Sequence, residues 1–520
     1  MKKWLVPILG MATIVLFWST AVSTSWARIE ALQTIEGYAM AVHEQLMLQY
    51  SQTGSFSQTI HKGYDDAWTW SGHRAITLPI VALIYGLHPS PVWLSIIMIT
   101  AVTIGAVSAG GIGKHVLQNQ WGWLLGIVIY LGCPATMALA LQDYQDLIFA
   151  LPALVFCAWM MTLKSWYWPL LGVCIGVMPR EECVPMVIAV AATMIPFKQR
   201  WSPKWRTWIR NITIASIIAF CYASWAEANH PIDSGHDMPL ENALKSLGHN
   251  QIFLEGWLYK TRFYALIWIP LGSLAFLSPV IAAPAIGVIL LHMTVPEGHG
   301  VDRSWSGHCH HMAPAVAFAI TGTTVGAARL LRFLLNRNAG HWLATIVSCI
   351  AMAWMIFWWQ NWSAYYNLKI SPWPQQPEWT HPAWKLARTL TPNDIPIVSK
   401  NTALVASHFS KSYTFDESLY QKEPRRGAAA GTHLIVSENR RDVLQWIGKI
   451  QGTTLLDEID GFQLYEIQSG TRDITVGNRP KFKKPPPYTG PYLKGQDIPG
   501  VPPHEQRIKV QPGSFPVIQF

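Results

Sequence analysis

Apolar residues in this chain come in runs of about 14–21 positions separated by short polar stretches, a length matched to a bilayer rather than to a soluble core. The runs fall at residues 92–112, 121–141, 146–163, 165–178, 183–197, 208–225, 263–277, 280–295, 312–328 and 341–359. A further run opens the chain at residues 1–22, behind Lys2 and Lys3. Ser25, Trp26 and Ala27 resemble a signal-peptide cleavage site, but the run reads better as an uncleaved first span. The pattern predicts about eleven membrane helices in all.

The first outer loop, residues 23–91, has its own pattern. Over residues 28–50 the apolar positions Ile29, Leu32, Ile35, Met40, Val42, Leu46 and Met47 recur at a loose helical spacing, which predicts a helix lying on the membrane surface. Residues 75–87 are apolar but too few to span, and they end in His88, Pro89, Ser90 and Pro91, so they read as an interfacial or re-entrant helix. The membrane domain extends to residue 362, and residues 363–382 are a Pro/Trp-rich linker. Residues 383–470 then read as a small α/β domain. Its elements are a helix at 383–390, strands at 395–399 and 433–436, an amphipathic helix at 441–451 and a last strand at 461–467. Residues 471–520, rich in Pro and Lys, predict an extended or disordered tail. The fold class expected is mainly α: a polytopic membrane protein with a small extracytoplasmic α/β domain at its C-terminal end.

Charge fixes the expected orientation. Only 13% of the residues are charged, against about 25% in soluble domains. With the N-terminus cytoplasmic, the inner loops hold Lys114, Lys164, Lys198, Arg200, Lys204, Arg206, Arg210, Arg329, Arg332 and Arg337, and no Asp or Glu. Every acidic residue before position 360 falls outside. This obeys the positive-inside rule. Making residues 75–87 a full crossing would reverse both basic clusters. The net charge of +9 is thus accounted for by membrane topology, and nucleic acid is not an expected partner. The seven cysteines form no CxxC pair, and no P-loop, GxSxG elbow or HExxH motif is present.

Four polar segments then converge on the outer face: residues 63–74, 142–146, 179–182 and 296–311. Ionisable groups this close to a bilayer are functional-site candidates. Asp65 and Asp66 suit a general base or a divalent-cation site, or else a solvated turn. His73, Arg74 and Arg180 suit a phosphate group, with snorkelling as the plainer account of Arg74. Asp143 and Asp146, three apart, would share one face at a helix start and cap it. Glu181 and Glu182 either pair with Arg180 or contact an acceptor. His308 and His311 would share a helical face, with Cys309 and Glu297 near enough to complete a metal site. Hydrogen-bonding histidines are the simpler reading. No metal is assigned.

These residues also carry a resemblance. Gly72, His73 and Arg74 precede the Pro-ended segment Leu87, His88, Pro89, Ser90, Pro91. Gln142, Asp143, Tyr144, Gln145 and Asp146 precede Ala150, Leu151, Pro152. Pro179, Arg180, Glu181 and Glu182 follow, then His310, His311, Met312, Ala313, Pro314. Together, over residues 55–335, they resemble the prokaryotic membrane family named domain of unknown function 2079. The stretch from Ile397 to Ser410 resembles the domain that follows in many members. Two positions depart from its pattern: Tyr144-Gln145-Asp146 stands where the family has an aromatic-His-x-Glu stretch, and Arg180 stands for Lys. That family in turn looks like the GT-C glycosyltransferase architecture, a first span, a long outer loop with surface helices, a multi-span bundle and an outer soluble domain. The resemblance implies sugar transfer from a polyprenyl-phosphate donor to a glycan or protein acceptor, with first-loop acids as base or metal ligands. It places the chain in the inner (plasma) membrane as a multi-pass protein. A transporter, or a lipid-binding or assembly protein with the same outer cavity, is the alternative. No internal repeat of the kind common in transporters is evident.

Overall fold

The computed structural model describes residues 2–32, 37–57, 59–60, 74–195, 197–199, 202–228, 267–271, 273–293, 310–336, 353–354, 380–414, 432–438, 443–444 and 453–467. Helix α1 (Lys2–Glu30) runs past the expected first span and is followed by α2 (Gly37–Thr53) and α3 (Thr77–Tyr85). Gly54, at φ +75°, ends α2 in a left-handed conformation open to glycine. The long helix α4 (Pro91–Leu117) starts with Ser90, whose hydroxyl accepts from Trp93 N at 3.1 Å, and Pro91 at the first helical position needs no donor. Helices α5 (Gln120–Gly132), α6 (Pro134–Ala140), α7 (Ala150–Met161), α8 (Tyr167–Val177), α9 (Cys183–Thr193), α10 (Trp205–Ala228), α11 (Pro279–Met293) and α12 (Ala313–Leu335) complete the bundle.

The centre of the bundle is α4, which packs against α1, α5, α7 and α12. Its approach to α5 is backbone to backbone. A Cβ on Gly113 would lie 2.1 Å from the carbonyl oxygen of Gly122, and one on Gly126 would lie 2.1 Å from that of Ala109. Small residues permit this contact, which substitutes for the hydrophobic drive that lipid removes.

Among the described residues, four helices are long and apolar enough to cross a membrane: Trp4–Glu30, Pro91–Leu117, Trp205–Ala226 and Ala313–Leu335. The expected span at 121–141 is broken instead. Its two halves, α5 and α6, are bent by 61°. The break falls at Cys133, held extended before Pro134, as a proline disfavours helix in the residue before it. Asp146–Met161, Tyr167–Val177, Cys183–Thr193 and Pro279–Ile289 are shorter apolar helices. Among the described residues this makes four helices of spanning length, or five with the bent pair, against about eleven expected over the whole chain. The remaining expected spans fall on these shorter helices and on residues outside those described, among them most of 341–359; of 263–277, residues 267–271 and 273–277 are described and end in a 3-10 turn, Leu274–Leu277, rather than forming a span. Most of the linker, nearly all of the 441–451 helix and the tail lie outside them too.

Near its C-terminal end the chain forms α13 (Pro382–Ala387) and a five-stranded sheet of β3 (Pro396–Val398), β4 (Tyr413–Thr414), β5 (His433–Ser437), β6 (Thr453–Ile459) and β7 (Phe462–Ile467). A two-strand pairing of β1 (Phe197–Gln199) with β2 (Ser202–Pro203) lies earlier. The sheet order is β4-β3-β5-β7-β6, with β3 parallel to both neighbours and β5, β7 and β6 antiparallel. Ile397, Tyr413, Leu434, Val436 and Val443 form its small core.

This domain is seated on the end of α1 and on the segment between α1 and α4. Arg388 grips Glu30 with both carboxylate oxygens at 2.8 and 2.9 Å, and Trp384 Nε1 donates to Ile29 O at 2.9 Å. Gln45, fully buried on α2, accepts from Thr59 N at 2.7 Å and donates to Phe409 O at 3.3 Å. Beside it Glu44, also fully buried, accepts from Tyr85 OH at 2.9 Å and meets the Ser407 hydroxyl.

Candidate functional site

The loop between α6 and α7 is the floor of the site. Leu141–Gln145 is non-helical, and a 3-10 turn, Asp146–Phe149, leads into α7. Asp146 opens that turn and its Oδ1 accepts from Leu147 N at 2.8 Å. Asp143 does not join it on a helical face, as the spacing had suggested. It turns instead to Arg28 at the end of α1, 4.0 Å away, and Arg28 also donates to Leu141 O. Arg28 was not singled out from sequence, because its place beside an apolar run looks like an ordinary span boundary.

Above the floor sits the junction of α8 and α9. Residues 178–182 make no regular helix, so the two apolar halves of residues 166–197 are separate helices with charged residues between them. Arg180 is 4% exposed. Its Nη1 lies 3.7 Å from Asp146 Oδ1 and its Nη2 3.8 Å from Glu182 Oε1. Glu181 turns the other way and its Oε2 accepts from Arg74 N at 2.8 Å. Thr77 N donates to Met178 O at 3.3 Å, and Tyr222 OH of α10 donates to Arg74 O. The segment Arg74–Thr77, which leads into α3, is thereby fastened to the α8–α9 junction and α10. The His310–Met312 turn packs against the Asp146–Phe149 turn, which brings half-buried His311 to the same place.

Arg74, Asp143, Asp146, Arg180, Glu181, Glu182 and His311 are therefore gathered from four separate segments. Asp65, Asp66, His73 and His308 lie outside the described residues. Among the described residues, no group of three His, Cys, Asp or Glu side chains is arranged to hold a metal.

The electrostatics are unusual. Burial works against the Arg180 charge, but Glu182, Asp146 and Glu181 together outweigh it and move its pKa upward. The guanidinium stays charged. Yet its ion-pair contacts, at 3.7 and 3.8 Å, are longer than hydrogen bonds. Among the described residues Arg180 Nε, Asp146 Oδ2 and the hydroxyl of fully buried Tyr144 have no hydrogen-bond partner. Buried polar atoms are nearly always satisfied, so these three call for a water, an ion or another polar group as partner. A planar guanidinium with open donors suits an oxyanion such as phosphate or carboxylate.

The family described as "Predicted membrane protein (DUF2079)" matches residues 28–408, which include every site residue just placed. The chain belongs to this family. Its DUF2079 region takes in α2 to α12 and the first part of the C-terminal domain. No curated protein sequence matches the chain. Among solved structures it is similar to ArnT from Cupriavidus metallidurans in the apo state, at 10% identity and a TM-score of 0.46, covering 89% of this chain and 99% of that one. The ArnT structure bound to undecaprenyl phosphate gives 11% and 0.45, over 88% and 98%. The archaeal oligosaccharyltransferase AglB from Archaeoglobus fulgidus, in complex with an inhibitory peptide and a dolichol-phosphate, gives 8% and 0.41, over 84% and 70%.

Proposed function

We propose that this DUF2079 protein is an integral-membrane glycosyltransferase of the GT-C type, taking a sugar from a polyprenyl-phosphate carrier on the extracytoplasmic face of the inner (plasma) membrane. The observation that carries the reading is Arg180: a buried, charged guanidinium with open donors beside a carboxylate oxygen that nothing satisfies. Arg180 with Arg74 holds the donor phosphate. Asp146, Glu181 and Glu182 set the arginines and meet the acceptor. Asp65 and Asp66 belong to a stretch whose two ends are pinned, at Ile60 by Gln45 and Thr414 and at Arg74 by Glu181. In this reading they supply the general base or hold a divalent cation. His73, His308 and His311 contact substrate. The acceptor is a glycan or a protein, and the C-terminal domain, seated on α2, lies on the acceptor side.

The test is sugar transfer from a labelled polyprenyl-phosphate sugar by membranes containing the protein. Asp65→Asn/Asp66→Asn should abolish transfer while the protein still accumulates and binds the carrier. Arg180→Gln should weaken carrier binding. Carrier binding with no transfer under any acceptor would favour a lipid-binding or transport role, and no carrier binding at all would overturn the proposal.

A further inference from the structure

The opposite end of the bundle carries basic side chains without acids. From Arg180 to Lys164 the chain runs back along α8, about 17 Å of helix. There Lys114 and His115 end α4, Lys164 follows α7, and Lys204 precedes α10. Lys114, His115 and Lys164 are exposed and Lys204 is half-buried. No Asp or Glu occurs at 67–142, 147–180, 183–226 or 303–377. Among the described residues, none of these three lysines has a carboxylate partner.

The cluster is built, not a scatter of surface charges. Arg210 Nη1 donates to Lys164 O at 3.2 Å, and the neighbouring fully buried Asn211 donates to Met161 O at 3.2 Å. Those bonds tie the start of α10 to the end of α7. Arg332 Nη1 donates to Val116 O at 3.3 Å and ties α12 to the end of α4. Arg210 and Arg332 thus spend donors on carbonyls at helix ends, where cations are favoured. Lys164 and Lys204 remain, both within electrostatic reach of His115. Like charges crowded this way need a counter-charge.

Aromatic residues give the depth. Trp166 and Trp205 are 61% and 55% exposed and flank Lys164 and Lys204 in sequence. Trp205 meets Trp208 at 5.3 Å, and Tyr167 meets Trp168 at 5.0 Å. Exposed indole rings of this kind lie at headgroup level. Below them the α10 face is apolar and exposed at Ile209 and Ile217, as a surface against acyl chains must be.

We propose that Lys114, His115, Lys164 and Lys204 form a binding site for the phosphate headgroup of an anionic phospholipid of the cytoplasmic leaflet. Basic pockets between membrane helices on that side bind such headgroups. The site is separate from the outer-face cluster and stands without the transferase reading.

The full chain is placed in phosphatidylcholine nanodiscs with or without phosphatidylglycerol. Thermal unfolding and lipid retained in native mass spectrometry are read. Phosphatidylglycerol should raise the unfolding midpoint and stay bound. Lys114→Gln/Lys164→Gln/Lys204→Gln should lose both effects, with affinity falling on the order of 100-fold at low salt and less at high salt. Lys385→Gln, in the C-terminal domain, should change neither. Lys164→Gln alone, at an exposed position, keeps the test readable if the triple variant does not fold, and it should show a smaller loss. The proposal fails if the lysine variants retain phosphatidylglycerol as the unaltered chain does, or if inorganic phosphate alone reproduces the shift.

Discussion

Glu44→Gln should make the seating of the C-terminal domain insensitive to pH. Glu44 lies on α2, fully buried, between Tyr85 of α3 and Ser407. Burial pushes its carboxyl from the usual 4.5 to about 8, against the hydrogen bonds from Ser407 and Tyr85. The Ser407 hydroxyl has one proton to share between Glu44 and Leu404 O, the latter at 2.7 Å, so it can serve a charged carboxylate only by giving up the carbonyl, and burial prevails. The folded state therefore binds a proton that the opened state, with an ordinary carboxyl, releases. Stability is full below pH 4.5, falls as pH rises through the window up to about 8, and is level above it. The whole effect is about 5 kcal/mol. Glutamine has the same shape. Its carbonyl accepts from Tyr85, its amide donates to Ser407, and nothing titrates. The assay is hydrogen exchange at Thr402 and Ser412, whose amides bond to Ser399 O and Thr59 Oγ1, corrected for intrinsic rates from pH 5 to 9. Protection should fall with pH in the unaltered protein and stay level in the variant, with the two alike near pH 5. Parallel profiles, or a variant already loosened at pH 5, would refute the protonated-carboxyl account.

Three further outcomes are expected. Arg180→Met should cost about 3–5 kcal/mol by stranding Asp146, and adding Asp146→Asn should recover part of it; a double variant no better than the single one in thermal unfolding would mean the pair is not coupled. Gly113→Val should destabilise by about 1–3 kcal/mol or more, because its Cβ meets the Gly122 carbonyl, whereas Gly287→Ala, with open space around it, should leave the unfolding midpoint nearly unchanged. In intact cells, with the exposed Cys174 and Cys221 and also Cys309 and Cys349, which lie outside the described residues, replaced by Ser, a membrane-impermeant maleimide should label Asp457→Cys at once and Lys164→Cys only after lysis; the reverse pattern would invert the proposed topology.

Much of this architecture is legible in local pattern. A helix is paid for within its own run of apolar residues, so the presence of a helix in 28–50, seen as α2 at Gly37–Thr53, the short helix within 75–87 and the α8–α9 break around Arg180 could be read directly. The first three strands named, near 395, 433 and 461, were equally local. Strand β6 was missed because most of its residues, including Leu455 and Leu456, are exposed and show no alternation. A signal was available: Asp460 and Gly461, both at positive φ, form the two-residue hairpin turn that such a dipeptide favours. The kink at Pro134 could also have been read from the proline alone.

The sequence by itself determined that this is a membrane protein and which residues are too polar to face lipid. Those properties depend on transfer energies of single residues and short runs, which add along the chain. Only the tertiary structure decided who partners whom. It sent Asp143 to Arg28 rather than to a helix start, set Arg180 beside Asp146 across a gap in sequence, fixed Arg74 through Glu181 and Tyr222, and buried Glu44 under Ser407. Such pairings depend on which helix faces meet, and that is settled by packing between distant segments, for which no local pattern carries a sign.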